Sequence, residues 1–134
     1  MTNKTSLDRN NIVAFVPTVD AVRAKRFYRD TLGLTLVQEE MPFALVFDAN
    51  GTMLRVSIVG ELSPQPWTIL GWEVSDINNL VRRLESAGAR FERYGQLEQN
   101  EHGVWKSPNG AKVAWFKDPD GNVLSLSEFE EKRR

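Results

Sequence analysis

The sequence predicts an α+β fold made of two tandem βαβββ modules. Three observations carry this. Short β-branched and aromatic runs alternate with segments whose apolar residues recur at helical spacing. The order strand-helix-strand-strand-strand occurs twice. Between the two runs lies GELSPQP, residues 60–66, with two prolines and no periodicity. The predicted boundaries are a flexible arm at 1–10, a first module at 11–59, a linker at 60–66, a second module at 67–128 and a charged tail at 129–134, all within one structural domain. With 134 residues, 41% of them hydrophobic, the chain can bury its own core without a disulfide or metal staple.

Each element has its own signal. NIVAFVPT (11–18) is apolar and β-branched, a strand closed by Pro17. Residues 20–33 form a helix whose stripe is Ala21, Ala24, Phe27, Tyr28 and Leu32, with Asp20 as cap and Gly33 at the C-terminal stop. Three strands follow at 34–40, 43–48 and 52–59, the last two joined by the hairpin signal Asp48-Ala49-Asn50-Gly51. The second module opens with the strand 67–74. A helix at 76–88 then carries Ile77, Leu80, Val81, Leu84 and Ala87 on one face and ends at Gly88. Residues 89–94 read as a strand. Residues 95–110 form a long polar loop with a short strand around Gly103-Val104-Trp105. Strands 111–118 and 122–128 then form a hairpin across Pro119-Asp120-Gly121.

The duplication extends to residues. Aligning Gly51 with Gly121 brings Asp48 onto Asp118, Leu54 onto Leu124 and Ser57 onto Ser127, and Asp20 aligns with Asp76 at the helix starts.

Composition narrows the chemistry. Seventeen Lys and Arg against 18 Asp and Glu leave a net charge of −1, which gives no electrostatic reason to expect nucleic acid or an anionic membrane as partner. The chain has no cysteine and one histidine, excluding thiol catalysis, disulfides, Cys-ligated metals and a His-rich metal site within one chain. No apolar run reaches the ~20 residues of a membrane helix, and the opening MTNKTSLDRNN lacks a signal-peptide core, so a cytoplasmic location is expected.

Taken in order and duplicated, Asp20, Phe27-Tyr28 and Leu32-Gly33 in the first module and Asp118-Pro119-Asp120-Gly121-Asn122 in the second resemble the vicinal oxygen chelate superfamily. These are the glyoxalase, bleomycin-resistance and dioxygenase relatives, and the resemblance covers roughly residues 11–128. It implies a glyoxalase-like fold in which the mixed sheets of the two modules curl around a central cavity. It also implies a homodimer, with the cavity closed in one chain or shared between two. Relatives with metal chemistry place a ligand on the first and last strand of each module. Those positions here are Val13, Arg55, Ile69 and Ser125. Valine and isoleucine cannot coordinate, arginine is permanently protonated and serine is a poor lone ligand. No one-residue slip brings a donor set into register. The resemblance therefore implies the fold without the usual metal, and neither a metal nor another cofactor is expected.

Strand alternation nominates the cavity-facing side chains. Val13 and Phe15 lie on the first strand, Trp67, Ile69 and Glu73 on the fifth, and Met53, Arg55 and Ser125 on the two last strands. A turn with glycine in a bulge position at Pro119-Asp120-Gly121 puts Trp115 beside Ser125; a plain two-residue turn would turn Ala114 and Phe116 inward instead. The same bulge rule in the first module puts Phe43, Leu45 and Phe47 beside Arg55. Arg55 either grips an acidic group on a ligand or pairs internally, with Glu73 as the carboxylate on the same surface. Trp67, Trp105 and Trp115 are candidates for stacking, whereas Trp72 falls on the helix side. Glu98, Glu101 and His102 sit on the long loop with nothing in the sequence to orient them, and Arg23, Lys25, Arg26 and Arg29 form a solvated helix face.

The leading functional expectation is metal-independent binding of a planar or aromatic, anionic small molecule, as in bleomycin-resistance proteins. Metal-dependent glyoxalase or dioxygenase activity is not expected. The alternatives are a lyase, isomerase or dioxygenase type of enzyme, with Arg55 stabilising an oxyanion or an atypically held metal, and an interaction module with a vestigial cavity.

Overall fold

The computed structural model describes residues 6–130. The expected N-terminal arm therefore lies partly, and the charged tail mostly, outside the described residues. The first module comprises β1 (Val13–Thr18), a helix that starts as α1 (Ala21–Lys25) and continues as π-helical turns over Arg26–Thr31, β2 (Thr35–Glu40), β3 (Ala44–Ala49) and β4 (Thr52–Ile58). The second comprises β5 (Thr68–Glu73), α2 (Ile77–Ser86), β6 (Trp105–Lys106), β7 (Lys112–Lys117) and β8 (Val123–Glu128). The strand orders, β1-β4-β3-β2 and β5-β8-β7-β6, are the same under a shift of four, and in each sheet the first strand runs parallel to the last. The sequence repeat is thus a repeat of topology: two four-stranded mixed sheets, not closed into a barrel.

One core serves both modules. Val16, Leu45, Phe47, Leu54 and Val56 of the first sheet and Ala114, Phe116, Leu124 and Leu126 of the second join Ala24, Phe27, Tyr28, Ile77 and Val81 of the helices in one buried cluster. Phe27 meets Phe116 across the modules at 6.5 Å, and Trp72 stacks on Phe116 from its own sheet. Every strand residue in this cluster lies on the helix side, which leaves each sheet a second, open face.

The modules are also stitched by polar groups. The Asp118–Asn122 turn docks onto the junction of β1 and α1. The Tyr28 hydroxyl donates to Asp118 Oδ2 at 2.6 Å, and Asn122 Nδ2 donates to the Pro17 carbonyl. The Asp120 carboxylate accepts from the Thr18 hydroxyl at 2.6 Å, the Val19 N–H at 3.1 Å and Arg23 Nη2 at 3.0 Å. Burial, and then the Asp118 carboxylate, hold the Tyr28 hydroxyl far above the ordinary tyrosine range.

Two local expectations change. Residues 89–94 are not a strand. Their backbone meets the sheet through the Phe91–Phe116 bridge and a hydrogen bond from the Glu92 N–H to the Trp115 carbonyl. The pairing strand is the short β6, and Gln99 bridges the detour by accepting from the Tyr94 N–H and donating to the Glu92 and Gly103 carbonyls. The two hairpins also differ. In the second, Asp118 N donates to the Asn122 carbonyl around Gly121 (φ 91°), so Trp115 pairs with Ser125. In the first, Ala49 pairs directly with Thr52 around Asn50 (φ 53°) and Gly51 (φ 93°), a two-residue turn. That one-residue difference shifts β3, and Val46 rather than Leu45 or Phe47 stands beside Arg55.

Candidate functional site

The open face of the first sheet is set by register. β1 contributes Val13, Phe15 and Pro17, β4 contributes Met53, Arg55 and Ser57, and β3 contributes Ala44, Val46 and Asp48. Phe15 is 60% exposed and Met53 43%, large values for apolar side chains on a sheet face. A hollow of about 390 Å³ runs over this face, bounded by Val13, Val37, Val46 and Met53. Leu45 and Phe47, expected here, turn to the core because of the two-residue turn, although Phe47 still borders the hollow. Phe43 precedes β3 and is exposed outside the ladder.

Arg55 is paired, but not with Glu73. Its Nη2 donates to Glu40 Oε1 at 2.6 Å. Glu40 is on β2, two strands away, and the two side chains meet across β3. Ala44 and Val46 lie between them on the same face and are only 2% and 4% exposed, although no helix packs there. Register puts the long Arg55 and Glu40 side chains on either side of these two residues, and such side chains cover apolar surface while their heads stay near water. Arg55 Nη1 rests 4.0 Å from the Met53 sulfur. The sequence pattern concealed Glu40 because β2 carries a register shift between Leu36 and Gln38, which resets the alternation of its side chains.

The open face of the second sheet is aromatic. Trp115 is flanked by Trp105 at 6.0 Å and by Tyr94, edge-on, at 5.4 Å. Register puts Trp105, Val113, Trp115 and Ser125 on this one side. Gly71 faces Ser125 across the β5–β8 ladder, and a Cβ at Gly71 would stand 2.6 Å from Ser125 Oγ. Partial burial, and then Glu92, raise the Tyr94 hydroxyl above its usual value. Lys117 on β7 pairs with Glu92 at 3.8 Å. Tyr94 was invisible in the sequence because it sits outside any strand, held by the hydrogen bond of its N–H to Gln99 Oε1. Ile69, expected on this face, sits at a register shift in β5 and packs against the core. Glu73 lies opposite Ser127, and Trp67 is exposed just before β5. His102 stays in the loop, 3.8 Å from Glu101. A separate apolar crevice of about 180 Å³, lined by Leu32, Leu34, Trp72, Leu80, Leu84 and Phe116 among others, lies on the helix side of the second sheet and touches neither Arg55 nor Trp115.

A model of the Glyoxalase/Bleomycin resistance protein/Dioxygenase superfamily matches residues 10–126. The chain belongs to this superfamily. Solved structures agree on the fold. A glyoxalase/bleomycin resistance protein/dioxygenase from Alicyclobacillus acidocaldarius is 21% identical with a TM-score of 0.70, over 93% of this chain and 95% of that one. A glyoxalase family protein from Enterococcus faecalis is 20% identical with a TM-score of 0.71, over 92% and 100%. A lactoylglutathione lyase from Agrobacterium tumefaciens is 19% identical with a TM-score of 0.69, over 89% and 93%. No curated protein matches the sequence.

The residues at the superfamily's metal positions do not fit a metal. Val13 offers no donor, Ile69 is packed against the core, Arg55 is a cation engaged with Glu40, and Ser125 lies beneath Gly71 as a single hydroxyl. Among the described residues no three His, Cys, Asp or Glu side chains come together to hold one elsewhere. No described helix is long and apolar enough to cross a membrane.

Proposed function

We propose that this superfamily member binds a planar or aromatic small molecule on the open faces of its sheets, with no metal at the superfamily's ligand positions. The observation that carries the reading is the cluster of Tyr94, Trp105 and Trp115 on the open face of the second sheet. Three aromatic side chains grouped outside the core present stacking surface, and few polar groups interrupt them. The exposed apolar face of Val13, Phe15 and Met53 supports a second part of the proposal: two copies associate through these faces and share the cavity. The cysteine-free composition is compatible with a cytoplasmic protein, and that location belongs to the same proposal.

The test is equilibrium dialysis and thermal shift with naphthalene probes on tag-free protein, alongside its mass in solution and its metal content. Binding in the wild type, with a loss of about 5- to 150-fold in Trp115→Ala, is expected from the roughly 1–3 kcal/mol of one stacking contact. A probe at 100 times its dissociation constant adds about 2.7 kcal/mol of stability. A mass of one 15.3 kDa chain refutes the shared cavity. Stoichiometric metal refutes the metal-free site, and equal affinity in Trp115→Ala removes the aromatic cluster from it.

A further inference from the structure

We infer that the open face of the first sheet selects a ligand group that is electrically neutral and carries a hydrogen-bond donor beside an acceptor, as a primary carboxamide or imide does, with the acceptor turned to Arg55 and the donor to Glu40. The inference rests on the open faces being a small-molecule site, and it names the chemistry of the molecule's polar edge.

Three observations carry it. First, the guanidinium is already compensated. Its contact with Glu40 is one nitrogen to one oxygen, Nη2 to Oε1 at 2.6 Å, so both partners keep unused capacity. Arg55 Nη1 has only the Met53 sulfur at 4.0 Å, and no described group donates to Glu40 Oε2. A guanidinium has five N–H donors in a fixed fork, and a carboxylate has acceptor sites on both oxygens. The pair therefore presents a donor and an acceptor side by side, and the matching ligand edge carries an acceptor and a donor side by side.

Second, the charge of the face disfavours an anion. Among the described residues the strands put one cation, Arg55, and two carboxylates, Glu40 and Asp48, on this open face. On the second sheet Lys117 of β7 is likewise matched, by Glu92. An incoming carboxylate must displace Glu40 from Arg55 or stand beside it as a like charge, and both oppose binding. A neutral group meets neither penalty.

Third, Arg55 stands beside Val46, which lines the hollow on this face. Ala44 and Val46, on the same face, are nearly fully buried, while the Arg55 and Glu40 side chains are 25% and 34% exposed. The pair is partly withdrawn from water and still reachable, and a preformed pair orients a ligand without large rearrangement.

The experiment compares three probes with one ring system: 2-naphthamide (neutral, donor and acceptor), methyl 2-naphthoate (neutral, acceptor only) and 2-naphthoate (anion). Dissociation constants are measured for the wild type and for Glu40→Gln at pH 7. In the wild type naphthamide binds at least about tenfold more tightly than either of the others, the size expected when a site's polar groups are left unpaired by the wrong ligand. In Glu40→Gln the guanidinium loses its counter-ion, and naphthoate gains about tenfold or more while naphthamide does not. The inference is overturned if naphthoate is the tightest probe in the wild type, or if Glu40→Gln leaves the ratio of naphthoate to naphthamide unchanged. The wild-type ranking decides by itself should the variant fold poorly. If none of the three probes binds, the small-molecule reading fails and this inference falls with it, an outcome distinct from binding in the wrong order.

Discussion

Replacing Tyr28 with phenylalanine isolates one bond at the seam between the modules. The ring volume is kept, so no cavity opens, and the edge-on contact with Phe27 at 5.1 Å survives. What is lost is the 2.6 Å hydrogen bond from the hydroxyl to Asp118 Oδ2, both groups buried. A hydrogen bond to a charged acceptor contributes about 1.5–3 kcal/mol. Asp118 keeps the N–H groups of Asp120 and Asn122 and the Asn122 amide, so no bare carboxylate is left and the middle of the range applies, about 2 kcal/mol. For a chain of this size that is roughly 6–10 °C in Tm. The effect has a pH signature. The Tyr28 hydroxyl is raised in the folded state, by burial first and by Asp118 second, while in the unfolded chain it ionises near the ordinary tyrosine value of 10.0. A group held neutral by folding stabilises fully below the unfolded value, and its contribution is lost as pH rises above it. The wild type therefore loses up to about 1.4 kcal/mol per pH unit above pH 10 through this residue, and the variant loses none of that. The urea-derived stabilities of the two proteins should converge and meet near pH ~11.5. A difference below about 0.5 kcal/mol at pH 7, or parallel alkaline limbs, would refute the claim that this bond holds the seam.

Three further substitutions probe the framework around the site. Asp120→Asn puts an N–H₂ against one of three donors, from Thr18, Val19 and Arg23, and should cost about 2–3 kcal/mol in chemical denaturation; a neutral result would mean the turn docks by packing alone. Gly71→Ala places a Cβ against Ser125 Oγ and should cost about 1–3 kcal/mol. Most of that should return in a Ser125→Gly background, and strict additivity of the two changes would refute the contact. Glu128 Oε1 accepts from the Ile77 N–H at the start of α2, where Asp76 makes no side-chain cap. Glu128→Ala should therefore cost about 1 kcal/mol and Glu128→Gln much less, since an amide oxygen still accepts; equal losses would point to charge rather than capping.

The legible part of this protein was its periodicity and its turn chemistry. The duplicated element order, the helix stripes and the bulged Asp118–Asn122 turn follow from local patterns, and Trp115 was placed correctly beside Ser125 because that turn reads locally. The first hairpin departs from the expectation for a local reason. Alignment to its sister turn carried the bulge across, although Asn50-Gly51 itself specifies a two-residue turn. Leu45 and Phe47 moved to the core in consequence. The other differences come from breaks in alternation that only pairing reveals. A register shift in β5 moves Ile69 from its expected side, the shift in β2 hides the facing of Glu40, and Tyr94 is held by a glutamine side chain rather than by a ladder. The seam is not legible in the sequence because a turn motif says nothing about what its carboxylates receive from elsewhere in the chain.

The residue at the superfamily position of β4 argues for binding over turnover. By resemblance that position holds a metal ligand in relatives with metal chemistry. Here it holds Arg55, which puts a fixed positive charge on the same face and fixes its counter-ion in Glu40. A guanidinium shares one property with a metal ion, attraction for an oxygen atom, and lacks two others. It does not lower the pKa of a bound water toward neutrality, and it has no open coordination position in which two substrate oxygens can be activated together. Its donors are directional and hold a carbonyl oxygen in place without generating a nucleophile. Glu40 Oε1 is engaged by Arg55, which leaves Oε2 as an acceptor beside the free N–H groups of the guanidinium. A site whose free polar capacity is a matched donor and acceptor is suited to retaining a planar molecule. The proposal therefore predicts probes recovered chemically unchanged after prolonged incubation with wild-type protein, and a product formed in the wild type but not in Glu40→Gln would overturn it.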